Sequence, residues 1–197
     1  MYLIITLGLI VLAYNTLFVL ATESAHFPQY ALLAVLIFPL TLNYNSTLYT
    51  ATFLGAIDEG YQYFILNPES TGYFDFNDVI TDLLGAVLGL ILLWTFGVKG
   101  RLNVKRWYKR NAFLIGMGIF VLLMVMMMIG IISLYPGNNG SYVILMNNVP
   151  SSFWSYDKVG DLYYHVVHPI EGMIIIFILF GIYTRLGRGE EEFSSKQ

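Results

Sequence analysis

Apolar residues run through this chain in long blocks, separated by short polar stretches. A helix that crosses a bilayer needs about 20 predominantly apolar residues. Residues 1–21 form the first such block, interrupted only by Asn15. A second covers residues 24–42, with Pro28 early and Pro39 late. The run Asn43-Tyr44-Asn45-Ser46 reads as a tight turn, and Ser46 or Thr47 as the cap of a third helix reaching about residue 66. A polar stretch over 67–74 leads to Asp75 or Asn77, either of which can cap a fourth helix ending near Gly97. Beyond a basic connection, residues 113–134 give a fifth, almost unbroken span. Residues 135–164 are polar, with Gly, Asn and Pro at their turns, and a sixth span covers about 165–186. The pattern predicts an all-α, polytopic transmembrane bundle of about six helices. Residues 1–188 make a single transmembrane domain, and 189–197 a mobile, charged cytoplasmic tail.

Composition agrees with lipid as the main solvent. Of 197 residues, 57% are hydrophobic and only 12% charged, with mean hydropathy +0.65. A soluble domain carries about 25% charged residues. The net charge of -3 and the lack of a basic groove exclude a nucleic-acid partner. Cysteine is absent, which removes disulfides, thiol nucleophiles and cysteinyl metal sites. Val19-Leu20-Ala21 resembles a signal-cleavage site, but no Lys or Arg opens the block and its apolar run is long for a signal core. A retained first helix is the expectation.

The cations set the orientation. Lys99, Arg101, Lys105, Arg106, Lys109 and Arg110 share one short connection, Arg185 and Arg188 flank the last span, and Lys158 stands on the opposite side. The positive-inside rule places residues 98–110 and the C-terminus in the cytoplasm, and six spans then place the N-terminus there too. Segments near 22–28, 67–77 and 135–164 lie outside, where Phe153, Trp154 and Tyr156 suit a membrane interface.

That orientation gives the ionisable groups a common address. Glu23 and His26 open the second helix, Asp58, Glu59 and Gln62 sit on the outer half of the third, and Asp75, Asp78 and Asp82 open the fourth. His165, His168 and Glu171 open the sixth. An acid at bilayer depth costs about 2.5–3.5 kcal/mol, so such groups face the protein interior or water. A hydrated pocket opening outward is expected. Asp58, Glu59 and Gln62 share a broad face, and the short loop makes the third and fourth helices antiparallel neighbours. Asp78, Asp82, Gly85 and Gly89 form one stripe, whose glycines permit close approach of another backbone.

Each feature also has a plainer reading. Asp75 and Asp78 suit a helix cap and first turn, and the glycine pair suits packing. Asp58 and Glu59, in mid-helix, either pair inside the bundle or do chemistry. His165, His168 and Glu171, at i, i+3 and i+6, could line a divalent-metal site. Interfacial hydrogen bonding is the commoner use of such residues, and Pro169 breaks the spacing unless the helix begins beside it. The Asn-x-Ser/Thr triplets at Asn45 and Asn139 and the methionines between Met124 and Met128 carry no assignment.

Asp58-Glu59-x-x-Gln62-x-Phe64, Pro68 and Asp78-x-x-x-Asp82-x-x-Gly85-x-x-x-Gly89 together resemble the signature of VanZ-like membrane proteins, and His26-x-x-x-Tyr30 resembles that family's His-x-x-x-Tyr element. The resemblance covers a core of about residues 20–97; the outer loop and two further helices within 111–186 fall outside it. Glu69 follows Pro68 where the family usually has an Arg nearby, and Asp82 replaces the commoner Asn.

The resemblance implies a multi-pass protein of the bacterial cytoplasmic membrane, associated with low-level resistance to teicoplanin-type glycopeptides. In that reading an outward acidic and histidine-bearing site binds or modifies a cell-envelope lipid or glycan precursor. Asp58 and Glu59 are the proton-handling pair and His26 the acid or base; Gln62, Tyr30, Asp78 and Asp82 hold substrate. A negative site suits a neutral or cationic group, or else requires a bound divalent metal. The expected partners are membrane lipid, a lipid-linked envelope precursor and other membrane subunits. Two alternatives stay open: a non-catalytic structural or assembly subunit of an envelope complex, and a transporter. The transporter lacks a polar path through the inner half, where only Asn15, Asn43 and Asn45 occur.

Overall fold

The computed structural model describes residues 1–63, 73–100, 150, 152–158 and 161–186, with isolated positions 118, 122, 125 and 126. Contacts divide the chain into two compact units. The first comprises Met1–Glu59, Asp75–Leu102 and Pro150–Gln197, and the second Gly60–Phe74 and Asn103–Val149. In the second, the described residues are the end of the third helix, Gln62, Tyr63, Tyr73, Phe74, and helical positions Gly118, Leu122, Val125 and Met126. Most of the expected fifth span, the Pro68–Glu69 loop, most of the basic connection and the C-terminal tail lie outside the described residues.

The first unit is mostly helical. Helix α1 spans Tyr2–Thr16, α2 His26–Thr41, α3 Tyr44–Tyr61, α4 Phe76–Thr95 and α5 Pro169–Tyr183. A 3-10 turn, Ala21–Ala25, joins α1 to α2. The turn with α2 (Ala21–Thr41) and α4 (Phe76–Thr95) are long and apolar enough to cross a membrane, whereas α1 and α5 are shorter apolar helices of 15 residues each.

Polar side chains inside the apolar helices bond to their own backbone. Thr6 Oγ1 donates to the Tyr2 carbonyl at 2.9 Å, Thr16 Oγ1 to Leu12 at 2.8 Å and Thr95 Oγ1 to Ile91 at 2.8 Å. The amide of Asn15 does the same to Val11 at 2.6 Å. Each closes a four-residue loop that satisfies the hydroxyl, or one hydrogen of the Asn15 amide, within its own helix. Large apolar side chains then occupy the exterior, including Ile4 and Val11 on α1, Leu36 and Leu40 on α2, and Ile174, Phe177 and Ile178 on α5.

Helix α4 is the core, with Leu83, Ala86, Val87 and Leu90 fully enclosed. Helices α1, α2 and α5 pack on it. Contact with α2 is made backbone to backbone: a Cβ added at Gly85 would lie 2.6 Å from the Phe27 carbonyl oxygen, and one at Gly89 would collide with the Ala31 carbonyl. Phe27 and Ala31 are four residues apart, as are the glycines, so the two stripes mesh in register. Gly172 likewise admits the Phe76 ring and seats α5 against the start of α4.

Several local expectations are corrected. Helix α3 starts earlier than Ser46, because Asn43 Oδ1 accepts the Ser46 N–H at 2.9 Å and serves as its cap. Of the two caps expected for α4, Asp75 is the one that serves, accepting from Asn77 N at 2.8 Å. The all-α expectation omits a short antiparallel hairpin of β1 (Ser155–Asp157) and β2 (Leu162–Tyr164), in which Tyr156 pairs with Tyr163. The last helix begins at Pro169, whose fixed φ and missing N–H suit the first helical position. His165 therefore precedes the helix and is not on its face.

Candidate functional site

The close approach of α2 and α4 carries His26 onto the acidic stripe of α4. Its Nδ1 lies 2.7 Å from Asp82 Oδ1, and its Nε2 lies 3.7 Å from Asp78 Oδ2. A carboxylate only accepts, so Nδ1 is the donor toward Asp82. The Asp82 side chain is 1% exposed, whereas those of His26 and Asp78 are 19% and 20% exposed. The pair is thus anchored in the core and open on one side. One turn along α2, Tyr30 is buried with its ring parallel to His26 (9° between planes, centroids 6.4 Å apart), and its hydroxyl also engages Asp82.

Helix α3 closes the site from its other flank. Gly55 faces Asp82 so tightly that an added Cβ would sit 2.5 Å from Oδ2. One turn on, Glu59 is only 4% exposed, within electrostatic reach of Asp78, Asp75, Asp82 and Asp58. Asp58 itself points to the exterior of α3. The adjacent acids therefore occupy different faces, and Glu59 is the one turned inward. Gln62 belongs to the second unit. Outside the spans, burial and then the neighbouring Asp78 push the Asp75 carboxyl up to about 7. Glu23 accepts from Val19 N at 2.9 Å and Leu20 N at 3.1 Å, and so holds the turn before α2.

The third histidine-bearing segment does not join this cluster. His165 is stacked on Phe153 (centroids 4.1 Å apart), its Nδ1 bonds the Phe153 carbonyl at 2.6 Å, and its Nε2 meets Glu171 Oε2 at 2.9 Å. His168 Nε2 lies 3.2 Å from the Pro150 carbonyl. Among the described residues no group of three His, Asp or Glu side chains is placed to hold a metal. Of the expected trio His165, His168 and Glu171, both His165 nitrogens are engaged by protein groups, and His168 turns to a carbonyl of its own loop.

Two residues matter more than their sequence context indicates. Asn77, expected as a cap, is a buried junction. Its Nδ2 donates to the Leu17 carbonyl at 3.0 Å and the His165 carbonyl at 2.8 Å, and its Oδ1 accepts from Val167 N at 2.9 Å. It ties α4 to the end of α1 and the start of α5. Gly55 shares a helix face with Glu59, at the four-residue spacing that also marks Gly85 and Gly89.

The first unit is thus a helix cluster with an apolar exterior and a buried histidine–carboxylate site where two closely packed helices meet a third. Residues 2–97, which hold every member of that site, match the VanZ/LLP1 family model, and over this segment the chain is VanZ-like. No curated protein and no solved structure matches the chain.

Proposed function

We propose that this chain is a multi-pass protein of a bacterial cytoplasmic membrane whose outward-facing site binds or modifies a lipid or glycan precursor of the cell envelope, in the manner associated with low-level teicoplanin resistance. The observation that carries the reading is the His26–Asp82 pair. A nearly inaccessible carboxylate fixes the imidazole through Nδ1, and Nε2 is left beside Asp78 on the accessible side. This is the arrangement that lets a histidine take up or release a proton at a bound group. Tyr30 keeps Asp82 in place, and the buried Glu59 adds negative character. The surrounding carboxylates favour a neutral or cationic partner, such as a sugar hydroxyl or an amine, over a bare phosphate.

The exposed exteriors of α1, α2 and α5 support the membrane placement, since contiguous apolar surface of this kind is uncommon on soluble monomers. The rival reading, a structural or assembly subunit, draws support from the exposed aromatic side chains Trp154, Tyr156 and Tyr163 around the hairpin. Substitution separates the two. His26→Gln and Asp82→Asn, expressed in a glycopeptide-sensitive bacterium, are expected to bring teicoplanin susceptibility back to that of cells without the protein, while the variants still accumulate in the membrane. Unchanged protection would reject the site. Loss of protection together with loss of co-purifying membrane subunits would favour the structural role.

A further inference from the structure

Where α1 ends and α4 and α5 begin, two histidines tie the residues before the hairpin to the start of α5. His165 Nδ1 lies 2.6 Å from the Phe153 carbonyl oxygen, and its Nε2 lies 3.0 and 2.9 Å from the two carboxyl oxygens of Glu171. His168 Nε2 lies 3.2 Å from the Pro150 carbonyl. The backbone of His165 is held from both sides: its N–H donates to the Thr16 carbonyl at 2.6 Å, and its carbonyl accepts from Asn77 Nδ2 at 2.8 Å. The imidazole is thus a fixed post, and Phe153 is the group tied to it.

Counting hydrogens sets a condition on that tie. A carbonyl oxygen and an ionised carboxylate both only accept, so the two contacts of the ring require two N–H groups, and a neutral imidazole has one. If Glu171 carries the hydrogen instead and donates to Nε2, the total is the same. Either way the closed arrangement holds one proton more than a neutral imidazole beside a carboxylate. The His165 side chain is 8% exposed, so water does not replace a missing donor, whereas Glu171, 38% exposed, opens the pair to solvent. The Phe153 ring lies over the imidazole (15° between planes, centroids 4.1 Å apart), a placement that favours a cation through the ring quadrupole. The elements packed around His165 carry, among the described residues, Glu171 and His168 on the α5 side, Asp75 and Asp78 at the start of α4, Tyr14 on α1, and Asp157, Lys158, Asp161 and three tyrosines in the hairpin. Of these, Glu171 is bonded to the ring, Asp78 turns to His26, and Asp161 takes the Tyr156 hydroxyl.

We propose that His165 is a proton-operated latch on Phe153 and Trp154. With the extra proton bound, both ring contacts are made. Without it, one N–H serves two acceptors; the charge-assisted bond to Glu171 is the stronger, so the bond to Phe153 is the one released. Phe153 and Trp154 line the apolar cavity between α1 and α5 together with His165 and Glu171, so release bares that end of it. The latched form is present at low pH and is lost as pH rises through the range in which an imidazole exchanges its proton. The proposal goes beyond the His26 reading and does not rest on it.

The test uses the full chain in maltoside with nitroxide labels at Ser152→Cys and Ile170→Cys, both exposed positions in a protein with no cysteine of its own. Pulsed electron paramagnetic resonance is expected to give a single interspin distance at about pH 5.5, and at about pH 8.5 a longer component at least fivefold more populated. His165→Gln is expected to show the longer component at both pH values, and His168→Gln to keep the change seen in the parent. If His165→Gln does not fold, Glu171→Gln serves: it removes the acceptor charge, and release is expected at lower pH than in the parent. A distance distribution independent of pH, a step that survives His165→Gln or vanishes with His168→Gln, or a midpoint unmoved by Glu171→Gln overturns the latch.

Discussion

His26 and Asp82 form the kind of pair whose halves are not equivalent. Asp82 is almost wholly enclosed and depends on His26 and Tyr30 for hydrogen bonds, while His26 keeps an accessible edge. Removing the imidazole leaves the carboxylate short of a donor, a change that typically costs about 1–3 kcal/mol. His26→Ala is therefore expected to lower the melting temperature in detergent, and Asp82→Asn to lower it less, because an amide still fits between His26 and Tyr30. An equal or reversed order in thermal melts would contradict the geometry. Asp75 gives a pH-dependent counterpart. Its folded pKa, pushed up to about 7, exceeds the usual carboxylate value, so the folded state holds the proton more tightly than the unfolded chain. The favourable contribution is fully present below about pH 4 and is lost as pH rises through 7. Asp75→Asn preserves a good cap and is expected to flatten the fall in melting temperature between pH 5 and pH 8. An unchanged slope would show that Asp75 does not carry that dependence.

Among elements, the glycine stripe of α4 decides whether the site exists at all. Gly85 and Gly89 bring α2 near enough for His26 to reach Asp82, and Gly55 lets α3 lie against the same carboxylate. Gly89→Leu is expected to force α2 and α4 apart, with strong loss of folded yield. Gly55→Ala places one methyl against Asp82 Oδ2, so it is expected to spare helical content by circular dichroism yet reduce protection against teicoplanin as severely as His26→Gln. Retention of full protection would mean that Asp82 does not act through its position. Asn77→Ala, by contrast, deprives the Leu17 and His165 carbonyls and the Val167 N–H of partners. A loss on the order of 3 kcal/mol is expected, with no selective effect on the site. These relations explain what the sequence could and could not disclose. The Asp78–Asp82–Gly85–Gly89 stripe was readable because helical spacing alone puts those residues in line. That His26 would be its partner was not, since 56 residues separate His26 from Asp82 and periodicity says nothing of which helices touch. The face of Glu59 was readable only to within its neighbour: Asp58 and Glu59 differ by 100° around the helix, and which of them turned inward depended on where α4 lay. The placement of His165 was misjudged because a short hairpin and Pro169 start α5 later than hydropathy indicates.

For the molecule as a whole, the distribution of charge between its two ends decides which way it faces. Among the described residues, length and hydropathy mark Ala21–Thr41 and Phe76–Thr95 as helices able to cross a membrane by themselves. The shorter α1 and α5 are joined to α4 through Asn77 and to each other through Thr6 and Tyr183. Because His26 opens α2 and meets the first turns of α4, and Ala31 meets Gly89 further along, the two helices run parallel, with the histidine–carboxylate site at their shared N-terminal end. The other end is marked by the Tyr44 hydroxyl on the Val98 carbonyl, 2.6 Å away, and Lys99 follows it immediately. Positive charge on that side and acids on the other predict an outward site. The natural absence of cysteine makes this directly measurable. Ala25→Cys, one residue before His26 and exposed, is expected to react with a membrane-impermeant maleimide in intact cells. Val98→Cys, also exposed, is expected to react only after the membrane is permeabilised. The reverse pattern would turn the site toward the cytoplasm, out of reach of any precursor displayed on the outer surface. Labelling of both positions in intact cells would mean that α2 and α4 do not cross the bilayer, and the apolar exterior would then need a protein partner to cover it.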